Sequence, residues 1–313
     1  MPVPFVKWVG GKTQILEHLL PFFPKKIHNY YEPFLGGGSV LIALLHSCSI
    51  GERQVLNKIR ASDINPSLIG AYLNIQQHPN ELIQALTRLS EEFAVAFAED
   101  NGTTDSSSQS RRSAKAIVNR EEAQKSAINY YYWIRQEFNS HSDKRNIEHS
   151  AMFLFLNKLC FRGVYREGPH GFNVPYGHCK TIPSIFDHEN IHELSVLFQE
   201  VEFTCAPFTE VLVTKEEETH ALNFWYVDPP YAPINQTSFV GYTKDGFALQ
   251  MHLHLFDLLV HCSHAFVMSN ANVELVRQAF PEPQFNTRVI ECRRAIHSKN
   301  PASTCSEVIV FNA

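Results

Sequence analysis

The stretch FWYVDPPYAP, Phe224 to Pro233, decides the reading of this chain. Three aromatics and a valine build a run suited to a buried strand, and then Asp228, Pro229 and Pro230 stop it. Proline has a fixed φ and no backbone donor, so the pair cannot continue a ladder and holds the chain past Asp228 in one stiff, extended form. Two accounts compete. In the plain one, the prolines end a strand and Asp228 caps the following turn. In the other, the strand stops in order to aim Asp228 and its next few neighbours at a bound molecule.

Working outward, the flanking segments alternate strand and helix signals in an α/β manner. Asn29 to Glu32 reads as a strand, Gly36-Gly37-Gly38 as a turn and Ser39 to Leu45 as a helix. Ile59 to Ser62 reads as a second strand ending at Asp63, with a helix over Pro66 to Ile75. The alternation then breaks. Glu81 to Ala98 carries Leu82, Ile83, Leu86 and Leu89 at helical spacing. Glu99 to Ser113 (EDNGTTDSSSQSRRS) is polar and lacks apolar anchors, so a mobile loop is expected there. Helical patterns follow over Ala114 to Phe138 and Ser150 to Leu159. A Gly- and Arg-bearing loop spans Cys160 to Gly171, and FNVPYG runs from Phe172 to Gly177. Alternation resumes with a strand at Val201 to Cys205, the strand into Asp228, and a helix over Phe247 to His261. The strand Ala265 to Met268, a helix near Val273 to Phe280 and strands near Val289 and Val308 complete it. The layout is an α/β sheet interrupted by a mostly helical insert. We place the sheet domain at 1–75 and 200–313, and the insert at 76–199.

At 313 residues and 44% hydrophobic content the chain can fill the core of one large domain or two modest ones. Its longest apolar runs fall far short of the ~20 residues a membrane span needs, and the start lacks the basic stretch of a secretion signal, so a cytosolic protein is expected. Seven cysteines without a two-residue spacing point to reduced thiols. His252, His254, His261 and His264 gather near one helix, but no ligand pattern frames them and no metal is expected. A net charge of −5 argues against a nonspecific polyanion binder. The charge is uneven, however: Arg111 to Lys180 holds twelve Lys or Arg against six Asp or Glu. A region with that excess suits phosphates, although a solvated helical face would look the same.

Four stretches belong at the carboxyl edge of such a sheet, where open α/β folds bind ligands. In Glu32-Pro33-Phe34-Leu35-Gly36-Gly37-Gly38, glycines let a backbone approach a ligand and the next helix offers its amides. Asp63, one βα unit on, can accept from both hydroxyls of a ribose, which suggests a nucleoside-containing cofactor. Lys7-Trp8-Val9-Gly10-Gly11-Lys12-Thr13 resembles a phosphate loop. That loop needs a glycine five places before its last one, where this chain has Val6, so the triphosphatase reading fails. The fourth is the opening stretch. The Asp228 carboxylate and the Pro229 carbonyl, held rigidly, can grip both hydrogens of an amino group, and Tyr231 offers a flat face to a base. The amine of adenine is a poor nucleophile because its lone pair is conjugated with the ring, and two acceptors can draw it toward attack geometry.

Together these stretches resemble the α-group adenine-N6 DNA methyltransferases, the Dam-like family with a DPPY motif. The likeness runs through KWVGGK, EPFLGGGSV, SDINPSLI, FLFLNKLCFRG with GFNVPYG, YVDPPYAP, and MSNAN with CRRAI, in the α order of cofactor loop, target-recognition insert and DPPY. It implies a Rossmann-like methyltransferase sheet with a helical recognition insert, S-adenosylmethionine as cofactor and double-stranded DNA as partner. It implies cofactor contacts from Trp8, Lys12, Pro33, Phe34, Gly36, Gly38, Asp63 and Asp228, with Pro207 and Phe208 near the adenine ring of the cofactor. It assigns Asp228, Pro229, Pro230 and Tyr231 to the target adenine, and Lys7, Arg162, Arg166 and Asn173 to DNA.

The expected activity is transfer of a methyl group to N6 of an adenine flipped out of a short palindrome, in the nucleoid of a bacterial host. Arg166 occupies the place of a base-reading arginine in Dam-like relatives. The loop Phe161 to Gly168 otherwise departs from their pattern, so CATG is placed slightly ahead of GATC. A restriction endonuclease as partner and the oligomeric state stay open. Methylation of RNA or of a protein amide is the alternative within enzymes; such relatives more often carry Asn at the position of Asp228 and lack the insert. A DNA-binding module without catalysis is the alternative outside them, and decay of the pocket would be its mark.

Overall fold

A computed structural model of the chain describes residues 1–102, 117, 119–212, 222–233, 247–293 and 304–312. It forms two compact units. One comprises Gly10–Ile64 and Glu200–Ala313, the other Pro2–Val9 and Asn65–Gln199. The contacts thus change hands at Ile64, eleven residues before the boundary expected at 75, and they assign Pro2–Val9 to the helical unit.

The first unit opens with a short helix α1 (Leu16–Leu19) and strand β1 (Lys26–Glu32), whose last four residues are all buried. Burial on successive residues means burial on both faces, as expected of a central parallel strand. Gly38, at φ 69°, turns the chain into helix α2 (Ser39–Ser49), which is buried on nearly every side. Strand β2 (Gln54–Asp63) then runs parallel to β1, pairing Tyr31 with Arg60 and Glu32 with Ala61.

The second unit holds helices α3 (Pro66–Gln77), α4 (Pro79–Gly102), α5 (Arg120–Ala123), α6 (Ala127–Ser140) and α7 (Ile147–Leu159). A ribbon of β3 (Glu167–Gly168) and β4 (Gly171–Phe172) follows, then helix α8 (His188–Leu197). Helices α3, α6, α7 and α8 start where Asn65, Ser126, Asn146 and Asp187 accept a backbone N–H two or three residues on, a cap worth about 1 kcal/mol each. Their apolar faces meet in an aromatic core: Phe93 of α4 and Phe155 of α7 lie edge to face at 5.5 Å, with Tyr130 of α6 beside both.

Two sequence expectations change here. Glu99 to Gly102 extends α4 instead of opening a loop, while 103–113 lies outside the described residues. Within the helical pattern expected over Ala114 to Phe138, the described residues form two helices, with a break at Gln124 to Ser126 and a fresh start capped by Ser126.

Back in the first unit, β5 (Val201–Cys205), α9 (Phe208–Val211), β6 (Phe224–Val227), α10 (Leu249–Val260), β7 (Ala265–Ala271), α11 (Glu274–Ala279), β8 (Asn286–Arg293) and β9 (Thr304–Phe311) complete a seven-stranded sheet of order β5-β2-β1-β6-β7-β9-β8. The five strands from β5 to β7 are parallel, and β9 is antiparallel to both of its neighbours. From β1 the chain builds outward through β2 and β5, then returns to lay β6 on the other side of β1. That reversal makes β1 and β6 the switch point, where the carboxyl ends of an open sheet leave a crevice.

Candidate active site

Strand β6 is buried at all four positions and flanked by β1 and β7, which is why its sequence is an unbroken apolar run. Asp228 emerges at its carboxyl end. Lys12 Nζ lies 2.6 Å from Asp228 Oδ2 and donates to the Gly10 carbonyl at 2.5 Å, while the Lys12 backbone N–H donates to Ser39 Oγ at 3.0 Å. The Lys12 side chain is 5% exposed and that of Asp228 17%, so water screens the pair poorly. Asp228 Oδ1 is buried and has no hydrogen-bond partner among the described residues. Burial pushes the Asp228 carboxyl up to about 6; Lys12 opposes that shift and Glu307 adds to it. One carboxylate oxygen is thus engaged by a cation, and the other is held dry with acceptor capacity to spare.

The residues after Asp228 are fixed from the strands beside them. The Tyr231 hydroxyl donates to Glu307 Oε2 at 2.6 Å, and the Ala232 N–H donates to Asn270 Oδ1 at 2.9 Å. Lys12 Nζ lies 4.9 Å from the centre of the Tyr231 ring.

The neighbouring strand ends complete the edge. Gly36 and Gly38 adopt positive φ, 50° and 69°, and the Gly36 N–H donates to Asp63 Oδ2 at 3.0 Å. Asp63 therefore braces the glycine turn from the end of β2. Phe34 stacks on Phe208 at 5.4 Å, and Phe247 meets both rings at 5.9 Å. Pro207 stands at the N-cap of α9, in extended conformation, and sets Phe208 at the first helical position. Glu32, at the end of β1, is 2% exposed; the Tyr30 hydroxyl donates to its Oε2 at 2.6 Å. Burial pushes the Glu32 carboxyl up to about 8. The adjacent strands β2, β1 and β6 each end in or beside a carboxylate, namely Asp63, Glu32 and Asp228.

The remaining sequence-predicted residues lie in the helical unit. Asn157 clamps the backbone of Lys7 on both sides, accepting its N–H and donating to its carbonyl, each at 2.9 Å. Trp8 stacks on Tyr165 at 5.5 Å, within the helical unit. Arg162 is exposed and sits at φ 61°, in the left-handed region, its guanidinium 5.0 Å from the Phe161 ring. Arg166 is exposed, immediately before β3. Its Nε donates to Asn173 Oδ1 at 2.7 Å, and the Asn173 N–H donates to its carbonyl at 3.1 Å. A Cβ on Gly168 would stand 2.4 Å from Asn173 Nδ2, so a larger residue there would push the amide aside.

Residues 8–296 match the model of the D12 class N6 adenine-specific DNA methyltransferases. The chain belongs to this family. It is 34% identical over 308 residues to a type II methyltransferase, M.MjaIII, of Methanocaldococcus jannaschii, covering 95% of this chain and 93% of that one. It is 27% identical over 317 residues to a type II methyltransferase, M1.LlaDCHI, of Lactococcus lactis subsp. cremoris, covering 99% and 95%. It is 28% identical over 304 residues to a DNA adenine methylase of Haemophilus influenzae, covering 95% and 88%.

This D12-class enzyme is thus a site-specific adenine-N6 DNA methyltransferase on a Rossmann-like sheet, as its motifs implied. Among its described residues no helix is long and apolar enough to cross a membrane, and no group of His, Cys, Asp and Glu could hold a metal. The segment CRRAI falls largely outside the described residues. Sequence reading held Glu32 and Asn270 within its motifs without giving them a role, and it missed Glu307. Glu32 was open to the argument applied to Asp63, since it is the last residue of a strand that feeds a glycine turn. Asn270 and Glu307 reach the DPPY loop from strands whose pairing no local signal announces.

Proposed function

We propose that the methyltransferase acts on the N6 amine of an adenine extruded from a short duplex site, with S-adenosylmethionine as methyl donor. The observation that carries this reading is the Asp228 carboxylate at the switch point, with one oxygen on Lys12 and Oδ1 dry and unpartnered among the described residues. An amine N–H of the target would supply the donor that Oδ1 lacks, and the Pro229 carbonyl would take the second hydrogen. Two accepted hydrogens make the nitrogen lone pair less available to the ring and more available for attack. Tyr231 would stack on the base. Extrusion costs a few kcal/mol of stacking and pairing, which such a pocket returns.

The residues at the sheet edge suit a cofactor that carries a nucleoside. Glycines at positive φ, a carboxylate at the next strand end and a pair of stacked phenylalanines are the donor set for backbone, ribose and base. Lys12, Pro33, Phe34, Gly36, Gly38, Asp63, Pro207 and Phe208 would hold it, and the resemblance adds Trp8. When bound, S-adenosylmethionine supplies a methyl group already activated as a sulfonium. Asp228 need not be a strong base, because the amine proton can leave after the N–C bond has formed. The protein's contribution is alignment and polarisation.

Arg166 would read a guanine beside the adenine, since arginine pairs its guanidinium with guanine in the major groove, and Asn173 would hold that guanidinium in place. Lys7 and Arg162 would meet phosphates or flanking bases. Titration of cofactor binding by calorimetry, followed by sequencing of methylated bases in DNA from cells that express the enzyme, tests all of this. The expected result is stoichiometric binding of S-adenosylmethionine and N6-methyladenine in one palindrome, CATG or GATC. Absence of cofactor binding, or methylation without sequence preference, would overturn it.

A further inference from the structure

The chemistry proposed for the DPPY loop uses Tyr231 as a ring, and a ring at the mouth of a pocket is only as well placed as whatever stops it turning. The Tyr231 hydroxyl ends on the Glu307 carboxylate at 2.6 Å. Glu307 lies on β9 and pairs with Ala271 of β7 on one side and Ile290 of β8 on the other, so its backbone is fixed from both edges. One residue along β7, Asn270 is fully buried and its Oδ1 receives the N–H of Ala232, next in the chain after Tyr231. Two neighbouring strands therefore grip two consecutive residues of the loop, one by the side chain and one by the backbone.

We propose that Glu307 is a positioning residue for the methyl transfer, acting through Tyr231: by accepting the phenol hydroxyl it fixes the plane of the ring on which the extruded adenine stacks. The inference rests on the proposed stacking role of Tyr231. Burial, with Asp228 and Glu307 adding to it, raises the phenol of Tyr231 well above its ordinary value, so the hydroxyl stays protonated and donates. A hydroxyl donating to a carboxylate makes a bond about twice as strong as a neutral one. Lys12, beside the same ring, completes the hold. Glu307 touches neither base nor cofactor in this scheme. Its effect passes through the orientation of one side chain.

Five variants test this: Tyr231→Ala, Tyr231→Phe, Glu307→Ala, Glu307→Gln and the double variant Tyr231→Phe/Glu307→Ala. For each, kcat and the KM values for duplex and for S-adenosylmethionine are measured, together with the fluorescence of 2-aminopurine placed at the target position. Tyr231→Phe and Glu307→Ala are each expected to lower kcat about tenfold and to change the 2-aminopurine signal alike, with the KM for S-adenosylmethionine unchanged. The double variant should be no worse than either single one, because both remove the same bond. Glu307→Gln, which keeps an acceptor, should recover most of the rate. If Tyr231→Ala is severely impaired while Tyr231→Phe and Glu307→Ala match wild type, or if the two losses multiply, Glu307 does not position the ring, although the stacking role stands. If Tyr231→Ala itself matches wild type, the stacking role fails and this inference falls with it. Should Glu307→Ala not fold, Tyr231→Phe and Glu307→Gln decide: a tenfold loss in the first and recovery in the second support the inference, and wild-type rates in the first overturn it.

Discussion

The carboxyl edge of the sheet and the β3–β4 ribbon place their charged side chains in opposite surroundings. At the sheet edge Asp228 and Glu32 are taken out of water, and burial pushes their carboxyls up to about 6 and about 8. Beside the ribbon Arg166 stays exposed, and a single amide, Asn173, steadies its guanidinium. A group that must polarise a substrate gains from low dielectric, where each hydrogen bond is stronger. A group that must find a base edge among many sites gains from exposure and from an unbroken charge. On the roles proposed for these residues, the chemistry is buried and the reading is displayed, and their mutants should fail in different observables.

The sharpest way to break that contrast is Asp228→Ala. Loss of methyl transfer by about a thousandfold or more is expected while affinity for duplex DNA persists, because the lost contact acts on the amine in the transition state. Activity within tenfold of wild type would remove Asp228 from the mechanism.

The same residue sets the acid limb of the pH profile. Its carboxyl is raised by burial, so the carboxylate is lost as pH falls through about 6, and kcat/KM should drop about tenfold per unit below that point. Lys12→Met removes the cation that opposes the shift, so the midpoint should move to higher pH; at saturating S-adenosylmethionine a shift in the other direction would contradict the pairing.

Asp63→Ala should weaken cofactor affinity by about 1.5–3 kcal/mol, since it loses both the brace on Gly36 and its proposed ribose contact. An unchanged calorimetric Kd would put the cofactor elsewhere.

On the display side, Arg166→Ala should cost about 1–3 kcal/mol on the cognate site and relax the choice at one base position. Uniform weakening over all sequences with a shallower salt dependence would assign it to the phosphate backbone. The smallest effect belongs to Asn173→Ala, which removes one hydrogen bond and leaves the arginine in place. About 1 kcal/mol in discrimination, with kcat unaffected, is expected from steady-state kinetics on cognate and near-cognate duplexes.

How much of this was legible in the sequence depends on how far each signal reaches. The strand into Asp228 was plain, because a central parallel strand must be apolar on both faces and a Pro-Pro pair must end it. Helix α3 was plain too, since Asn65 caps it and Pro66 opens it. Glu99 to Gly102 was misread because polar composition was allowed to outweigh the momentum of a helix already twenty residues long. The break at Gln124 to Ser126 was hidden because the residues on either side share one helical pattern.

At the candidate site, motifs single out Asp228, Lys12 and Asp63, while the pairing of Lys12 with Asp228 and of Asp63 with Gly36 comes only with the fold. Asn270 lies in the MSNAN motif, which assigns it no contact, and Glu307 has no signal of its own. Asn270 reaches Ala232 through the parallel pairing of β7 with β6, and Glu307 reaches Tyr231 through the antiparallel register of β9 on β7, pairings that join segments far apart in the chain.

That register has a consequence for manufacture. In space β9 stands between β7 and β8, while along the chain it comes after both. β8 pairs with β9, so it joins the sheet only through a strand that follows it in the chain, the last slat of a blind. The slat that closes the sheet carries the glutamate that steadies Tyr231. On the roles proposed for Tyr231 and Glu307, the adenine pocket is therefore complete only once the last strand has closed the sheet.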